Sequence, residues 1–213
     1  MEGWCLEFVV RNQSIESEHI KELLKVTSGT KIDYSTMKVL MLKILEDDLL
    51  SKASTSEWML DLLESFEKLI RLHSDPSNPN PISDAMKSAY LAIAVECTVK
   101  YLETGTSNPK YYLLAVDRIW NHRFQRLMEG SYLLTPKFKL WKRKIDASLS
   151  NSQIMLELAS MSDNRRKTIQ MVQSFLKDAR NNLGGPSFLH SVAAAAAGYF
   201  FSPFLSCCLL SLH

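Results

Sequence analysis

Glycine and proline are scarce in this chain of 213 residues, which holds seven of each. β-Sandwiches and β-barrels need such residues at frequent turns, so their scarcity argues against an all-β fold. The phosphate-binding patterns G-x-G-x-x-G and G-x-x-x-x-G-K-[ST] do not occur, which removes the usual nucleotide-binding loops. The remaining composition, 46% hydrophobic and 23% charged, is ordinary for a folded, helical, soluble protein.

Cysteine is also rare, and the four cysteines form no C-x-x-C pair and have no neighbouring histidine cluster. The sequence therefore predicts neither a disulfide framework nor a zinc site, and we expect no metal or other cofactor. Cys97 lies in an apolar run and is predicted to be a small buried hydrophobic residue. The first residues lack the basic and apolar regions of a secretory signal, so we expect no export.

Catalytic groups are not arranged in any familiar pattern. His122 lies between Arg118 and Arg126 on the polar face of a predicted helix, which is typical of an exposed surface histidine. Asp117 and Glu129 are too far apart along the same helix to act as a carboxylate pair. The nucleophile motif G-x-S-x-G does not occur. The sequence therefore predicts a protein without enzymatic activity.

Apolar residues recur with the 3.6-residue period of an α-helix, and no segment alternates convincingly with period two. The segment 83–103 is apolar almost all round, which predicts a central helix. We therefore predict an all-α fold, a single-domain multi-helix bundle, for which armadillo-like stacking is one arrangement. The predicted helices are 18–26, 35–51, 54–73, 83–103, 109–130, one that begins at Pro136, 151–160 and 162–183.

Several residues are typical of helix ends. Caps of this kind satisfy backbone groups that have no partner inside the helix. Prolines at 76, 79 and 81 predict a stop after His73. The predicted caps are Ser35, the capping box Ser54 and Glu57, the pairs Asn108-Pro109 and Thr135-Pro136, and Gly130 as a C-terminal stop.

The periodicity also predicts which side chains face inward. In the segment 54–73, Glu64–Lys68 and Glu67–Arg71 are spaced as ion pairs on the solvent side. The residues predicted inward in the segments 54–73 and 109–130 are Met59, Leu62, Leu63, Phe66, Leu69, Ile70, Leu113, Val116, Ile119, Trp120, Phe124 and Leu127.

Charge is distributed unevenly along the chain. Residues 1–107 contain 11 Lys/Arg and 17 Asp/Glu, whereas residues 108–213 contain 14 Lys/Arg and 6 Asp/Glu. A positive C-terminal half favours an anionic partner. Two alternatives stay open: the two halves attract each other, or the charges are solvated helix faces.

Eight cations of the C-terminal half are the strongest candidates for binding. If they share one surface, they could neutralise phosphates and bind DNA without sequence preference, or bind an acidic partner protein. Three of them open the last helix, where they oppose the helix dipole, which favours a partner. The alternative is a solvated basic face. The candidates are Lys137, Lys139, Lys142, Arg143, Lys144, Arg165, Arg166 and Lys167.

The C-terminal segment 187–213 is uncharged, apolar and of low complexity. It is long enough to span a bilayer. Three interpretations compete: a membrane span, a core helix, and a product of the gene model or of splicing, which we favour because the composition changes near Leu189. The predicted organisation is a weakly ordered segment 1–13, a helical domain 14–186 and the tail 187–213.

A series of short motifs in the second half resembles the plant MULTIPOLAR SPINDLE family and its recombination-initiation-defect relatives, over about 105–189. The motifs, in order, are Ala115-Val116-Asp117-Arg118-Ile119-Trp120 with Arg123, Leu140-Trp141 with Ile145, Asn164-Arg165, and Gly185-Pro186-Ser187-Phe188-Leu189. The residues just before Gly185 and the tail beyond Leu189 depart from the family pattern.

This resemblance implies a nuclear, non-enzymatic meiotic scaffold without catalytic residues. Such a protein would assist programmed DNA double-strand break formation and meiotic spindle organisation, and its partners would be proteins of the double-strand-break machinery. The rival interpretation is a tail-anchored membrane protein with a cytosolic helical interaction domain, in which 187–213 is the anchor.

Overall fold

The structure, a computed structural model, describes residues 34–52, 55–74, 81–102, 108–161 and 164–183. These ranges contain seven helices and no strand, which confirms the predicted all-α fold. The predicted helix 18–26 and the segments 1–13 and 187–213 lie outside them. The helices are α1 (Tyr34–Lys52), α2 (Glu57–His73), α3 (Asp84–Val99), α4 (109–127), α5 (Pro136–Ser148), α6 (Ser152–Ala159) and α7 (Asn164–Asn181).

The helix α4 is built from three segments that follow one another without a break. Pro109–Ala115 is α-helical, Val116–His122 is π-helical and Arg123–Leu127 is α-helical again. A π-helix bonds residue i to i+5 and therefore accommodates one extra residue per turn. This change of period decides which side chains of α4 face its neighbours.

The helix α3 lies at the centre of the bundle. It packs against α2, α4 and α7, and a short 3-10 turn, Lys100–Leu102, continues it. Ile93 and Cys97 are fully buried in it. A helix that packs on several sides needs apolar residues all round, so the predicted central position is confirmed. The finer prediction of armadillo-like stacking stays a prediction.

Aromatic rings join three helices in the core. Phe138 of α5 lies 4.8 Å from Trp120 of α4 and 5.8 Å from Tyr90 of α3, between ring centroids. The indole N–H of Trp120 donates to the Thr98 hydroxyl at 2.8 Å. The three rings therefore pack against one another, and the buried N–H of Trp120 has a hydrogen-bond partner inside the core.

Most predicted helix ends are confirmed. The side chains of Asn108 and Thr135 accept hydrogen bonds from the backbone N–H groups of Tyr111 and Phe138, with proline at the first helical position. Gly130 has φ of +98°, a conformation that suits glycine because it has no Cβ. These devices depend only on residues next to one another in the chain.

Two predicted helix starts are wrong. Ser35 lies inside α1, which begins at Tyr34, so it is not an N-cap. The helix α2 begins at Glu57 with Ser56 as its N-cap, so the predicted start at residue 54 is wrong, and Ser54 itself lies outside the described residues. The carboxylate of Glu57 instead accepts hydrogen bonds from Arg118, a charged donor that outcompetes a neutral backbone N–H.

The inward face of α4 also differs from the prediction at its start. Leu113 is 54% exposed, whereas Tyr112 and Ala115 are buried. The hydroxyl groups of Tyr112 and Ser148 lie 2.5 Å apart, which fixes this face against the end of α5. A tyrosine that finds a buried hydroxyl partner can displace a leucine from the core.

Candidate partner-binding surface

Three acidic residues of α2, Glu57, Asp61 and Glu64, accept hydrogen bonds from arginines of α4. Arg118 donates to Glu57 at 2.6 Å, and Arg123 donates to Asp61 at 2.6 Å. Each arginine comes from the C-terminal half of the chain and each carboxylate from the N-terminal half. We call this set of contacts the α2–α4 ion ladder.

Glu64 is the buried centre of the ladder. It is 4% exposed, and its carboxylate accepts hydrogen bonds from the Tyr90 hydroxyl at 2.8 Å, from Arg123 at 2.6 Å and from Arg126 at 2.5 Å. Burial, followed by the charge of Glu64, raises the pKa of Tyr90 well above its ordinary value. Burial opposes the charged form of Arg123, but the hydrogen bonds to Asp61 and Glu64 outweigh it and raise its pKa.

Glu67 is also buried, at 2% exposure. Its carboxylate accepts from the Ser131 hydroxyl and from the Tyr132 backbone N–H, both at 2.6 Å. It therefore anchors the connection between α4 and α5. The predicted solvent-side pairs Glu64–Lys68 and Glu67–Arg71 are wrong, because α4 and the connection to α5 supply closer donors for both carboxylates.

The π-helical segment aligns the arginines of the ladder. Arg118 and Arg123 are five residues apart, and in an α-helix this spacing places them about 140° apart around the axis. The π segment between them brings them to the same side. His122 and Asp117 show the same effect, with Nε2 and Oδ2 3.0 Å apart, and His122 is exposed as predicted.

Part of the uneven charge along the chain is thus neutralised by ion pairs within the molecule. Besides the ladder, Arg180 of α7 pairs with Glu46 of α1. The interpretation that the two halves attract each other is confirmed by these contacts. Only cations outside them can serve a partner.

The five predicted cations of α5 divide into two groups. Lys142 donates to Asn121 at 3.1 Å and to both carboxylate oxygens of Asp146, and Lys144 donates to Glu157 at 2.6 Å. The other three, Lys137, Lys139 and Arg143, are exposed and have no acidic partner within the described ranges. We call these three residues the α5 cations.

The remaining predicted cations, Arg165, Arg166 and Lys167, are exposed in the first turn of α7. The helix α7 packs mainly on α3 and α1, whereas α5 packs on α6 and on the π segment of α4. The eight cations are therefore divided between two helices with different neighbours. The α5 cations are three charges on one helix for which the described part of the chain supplies no acidic partner.

Leu140 is a surface residue that the sequence reasoning did not identify. It is 61% exposed and lies between the α5 cations. A signal for it existed, because Phe138, Trp141 and Ile145 follow the helical period on one face, which leaves position 140 outward. Trp141 is half-buried against the core, with the Lys144 ammonium 5.6 Å from its ring centroid.

Other features of the described residues are weaker candidates for a functional site. A cleft of about 220 Å³ between α1, α2, α3 and α7 is lined by Phe66, Met86 and Phe175, with Lys38 and Asp178 as its charged residues. Among the described residues no three histidine, cysteine or acidic side chains are placed to hold a metal ion. Within the same ranges no helix combines the length and the apolar character that a bilayer crossing requires.

No protein-family model, curated protein or solved structure matches this chain. The surface of α5 and the motifs of the sequence are therefore the features that bear on its function.

Proposed function

We propose that this chain is a non-enzymatic scaffold protein that uses the outer surface of α5 to hold an anionic partner. The observation that carries the proposal is the contrast among its cations. Arg118, Arg123 and Arg126 form ion pairs in the ladder, whereas the α5 cations are exposed and have no acidic partner among the residues that the structure describes. Lys139 and Arg143 are four residues apart, a spacing at which like charges on a helix repel each other, and an anionic partner relieves that repulsion.

We further propose, from the resemblance to the MULTIPOLAR SPINDLE family, that the scaffold acts in the nucleus of meiotic cells. There it assists the machinery of programmed DNA double-strand breaks and the organisation of the spindle. The motif residues Trp120 and Ile145 are buried and Arg118 and Arg123 belong to the ladder, so the motifs preserve the bundle. This supports a shared scaffold rather than a shared catalytic site.

The test is replacement of the α5 cations by alanine in meiotic cells, as the triple change Lys137→Ala, Lys139→Ala and Arg143→Ala. We expect the variant to melt at the same temperature as the parent chain, to lose co-purifying break-machinery proteins, and to reduce the number of break foci. The matched control changes three exposed lysines elsewhere, Lys68, Lys110 and Lys177, to alanine and should behave as the parent. Normal break numbers in cells that lack the chain would contradict the meiotic role.

A further inference from the structure

The α5 cations surround an exposed leucine. Lys137 and Arg143 lie three residues before and after Leu140, and Lys139 precedes it directly. Residues three or four apart are neighbours on a helix surface, so Lys137 and Arg143 border Leu140, and Lys139 borders Arg143. The three charges and the leucine therefore form one patch. Leu140 is 61% exposed, and none of the three cations has an acidic partner within the described part of the chain.

A second exposed leucine lies on α6. Leu156 is 65% exposed, and the neighbouring Glu157 is tied to Lys144 of α5 at 2.6 Å. The helices α5 and α6 pack on each other and each exposes a leucine, and α5 adds three cations that have no acidic partner within the described ranges. An apolar anchor within a charged rim is the usual composition of a protein-binding surface.

Nucleic acid fits this patch less well. Phosphate contacts need cations but not a leucine at their centre. A partner helix can instead place carboxylates opposite the cations and an apolar side chain opposite Leu140.

We propose that the outer face of α5 and α6 docks an acidic amphipathic helix of a partner protein. The apolar stripe of that helix covers Leu140, and its carboxylates pair with Lys137, Lys139 and Arg143. This inference rests on the proposed scaffold function and names the chemistry of its partner. The binding mode is that of a helix lying on an apolar anchor with charges at the rim.

The probe is a synthetic helical peptide with leucines at i, i+4 and i+7 between glutamates, labelled for fluorescence anisotropy with the full-length chain. A peptide of the same composition, in which the leucines are scattered around the helix, is the control ligand. We expect the amphipathic peptide to bind, with an affinity that falls as salt rises. Leu140→Ala should weaken it about tenfold, as expected for a central anchor.

Leu72→Ala is the matched control variant, because Leu72 is a 78% exposed leucine on α2. It should leave the affinity unchanged, whereas the triple alanine change of the α5 cations should abolish binding. Thermal melting monitored by circular dichroism should be the same for all variants, since every changed side chain is exposed. Equal binding of the two peptides, or equal effects of Leu140→Ala and Leu72→Ala, would overturn the inference.

A duplex DNA probe separates this inference from its alternative and from the scaffold proposal. If DNA binds through the α5 cations and is indifferent to Leu140→Ala, while the peptide does not bind, the surface is a nucleic-acid site. That result overturns the docking of an acidic helix but leaves the scaffold proposal intact. Conversely, unchanged break numbers in meiotic cells would reject the meiotic role even if the peptide binds as expected.

Discussion

Replacement of Glu64 by alanine tests whether the α2–α4 ion ladder holds the two halves of the chain together. The change leaves the buried Tyr90 hydroxyl without its acceptor and leaves Arg123, whose side chain is 10% exposed, with Asp61 alone. Removing one partner of a buried ion pair costs about 3–5 kcal/mol. Because Asp61 still lies 2.6 Å from Arg123, we expect the lower end, about 3 kcal/mol.

The assay is urea unfolding followed by circular dichroism. With a slope of about 2 kcal/mol per molar urea, a loss of about 3 kcal/mol lowers the midpoint by about 1.5 M. Asp61→Ala is the matched control, because Asp61 is 53% exposed and its ion pair is screened by water. It should cost less than about 1 kcal/mol.

The conservative variant Glu64→Gln isolates the charge. Its amide oxygen can still accept from Tyr90, but it provides no negative charge for Arg123 and Arg126. We expect a loss between those of the two alanine variants. If Glu64→Ala costs no more than Asp61→Ala, the reasoning that places the buried carboxylate at the centre of the ladder is refuted.

Three further predictions concern the core and α4. Trp120→Ala should cost about 3–5 kcal/mol in urea unfolding, since the ring is fully buried and bonded to Thr98; a loss below about 1 kcal/mol would mean that the ring is exposed. Burial raises the pKa of the Cys97 thiol from 9.0 to about 11. The unfolded state therefore loses this proton at a lower pH than the folded state, and the free energy of unfolding should fall by about 2 kcal/mol between pH 9 and pH 11. The difference in unfolding free energy between the parent and Cys97→Ala should change over that interval, and a constant difference would contradict the burial of the thiol. Deletion of His122 should convert the π segment into a regular α-helix and keep the flanking faces aligned, whereas deletion of Gln125 should rotate them and lower the melting temperature more; equal losses would argue against the role of the π segment.

The parts of the fold that the sequence predicts are those decided by near neighbours. The caps at Asn108 and Thr135 depend on residues within one helical turn, and the stop after His73 depends on the nearby prolines. The orientation of Glu64 could not be predicted, because its donors Arg123 and Arg126 are 59 and 62 residues away in the chain. The 3.6-residue period alone predicts a solvent-exposed carboxylate for Glu64, whereas the contacts with α4 bury it.

The candidate surface was predictable to a similar extent. The sequence identifies the five cations of α5 and the i,i+4 spacing of Lys142 and Asp146, but it cannot tell that Lys144 is occupied, since Glu157 belongs to another helix. Leu140 could have been found by elimination, because the inward positions of α5 leave it outside. The π segment has no such signal, since nothing in a single sequence separates five-residue spacing from chance.

The order of the ladder residues along the chain also matters during synthesis on the ribosome. Glu64 emerges before Arg126, which follows 62 residues later, and at 5–20 residues per second that interval lasts roughly 3–12 s. Until the arginine is made, burying the carboxylate would cost several kcal/mol, so α2 keeps this face in water. A nascent chain that stalls before Tyr132 therefore presents an open, partly apolar surface, and chaperones that bind such surfaces should associate with it until translation resumes.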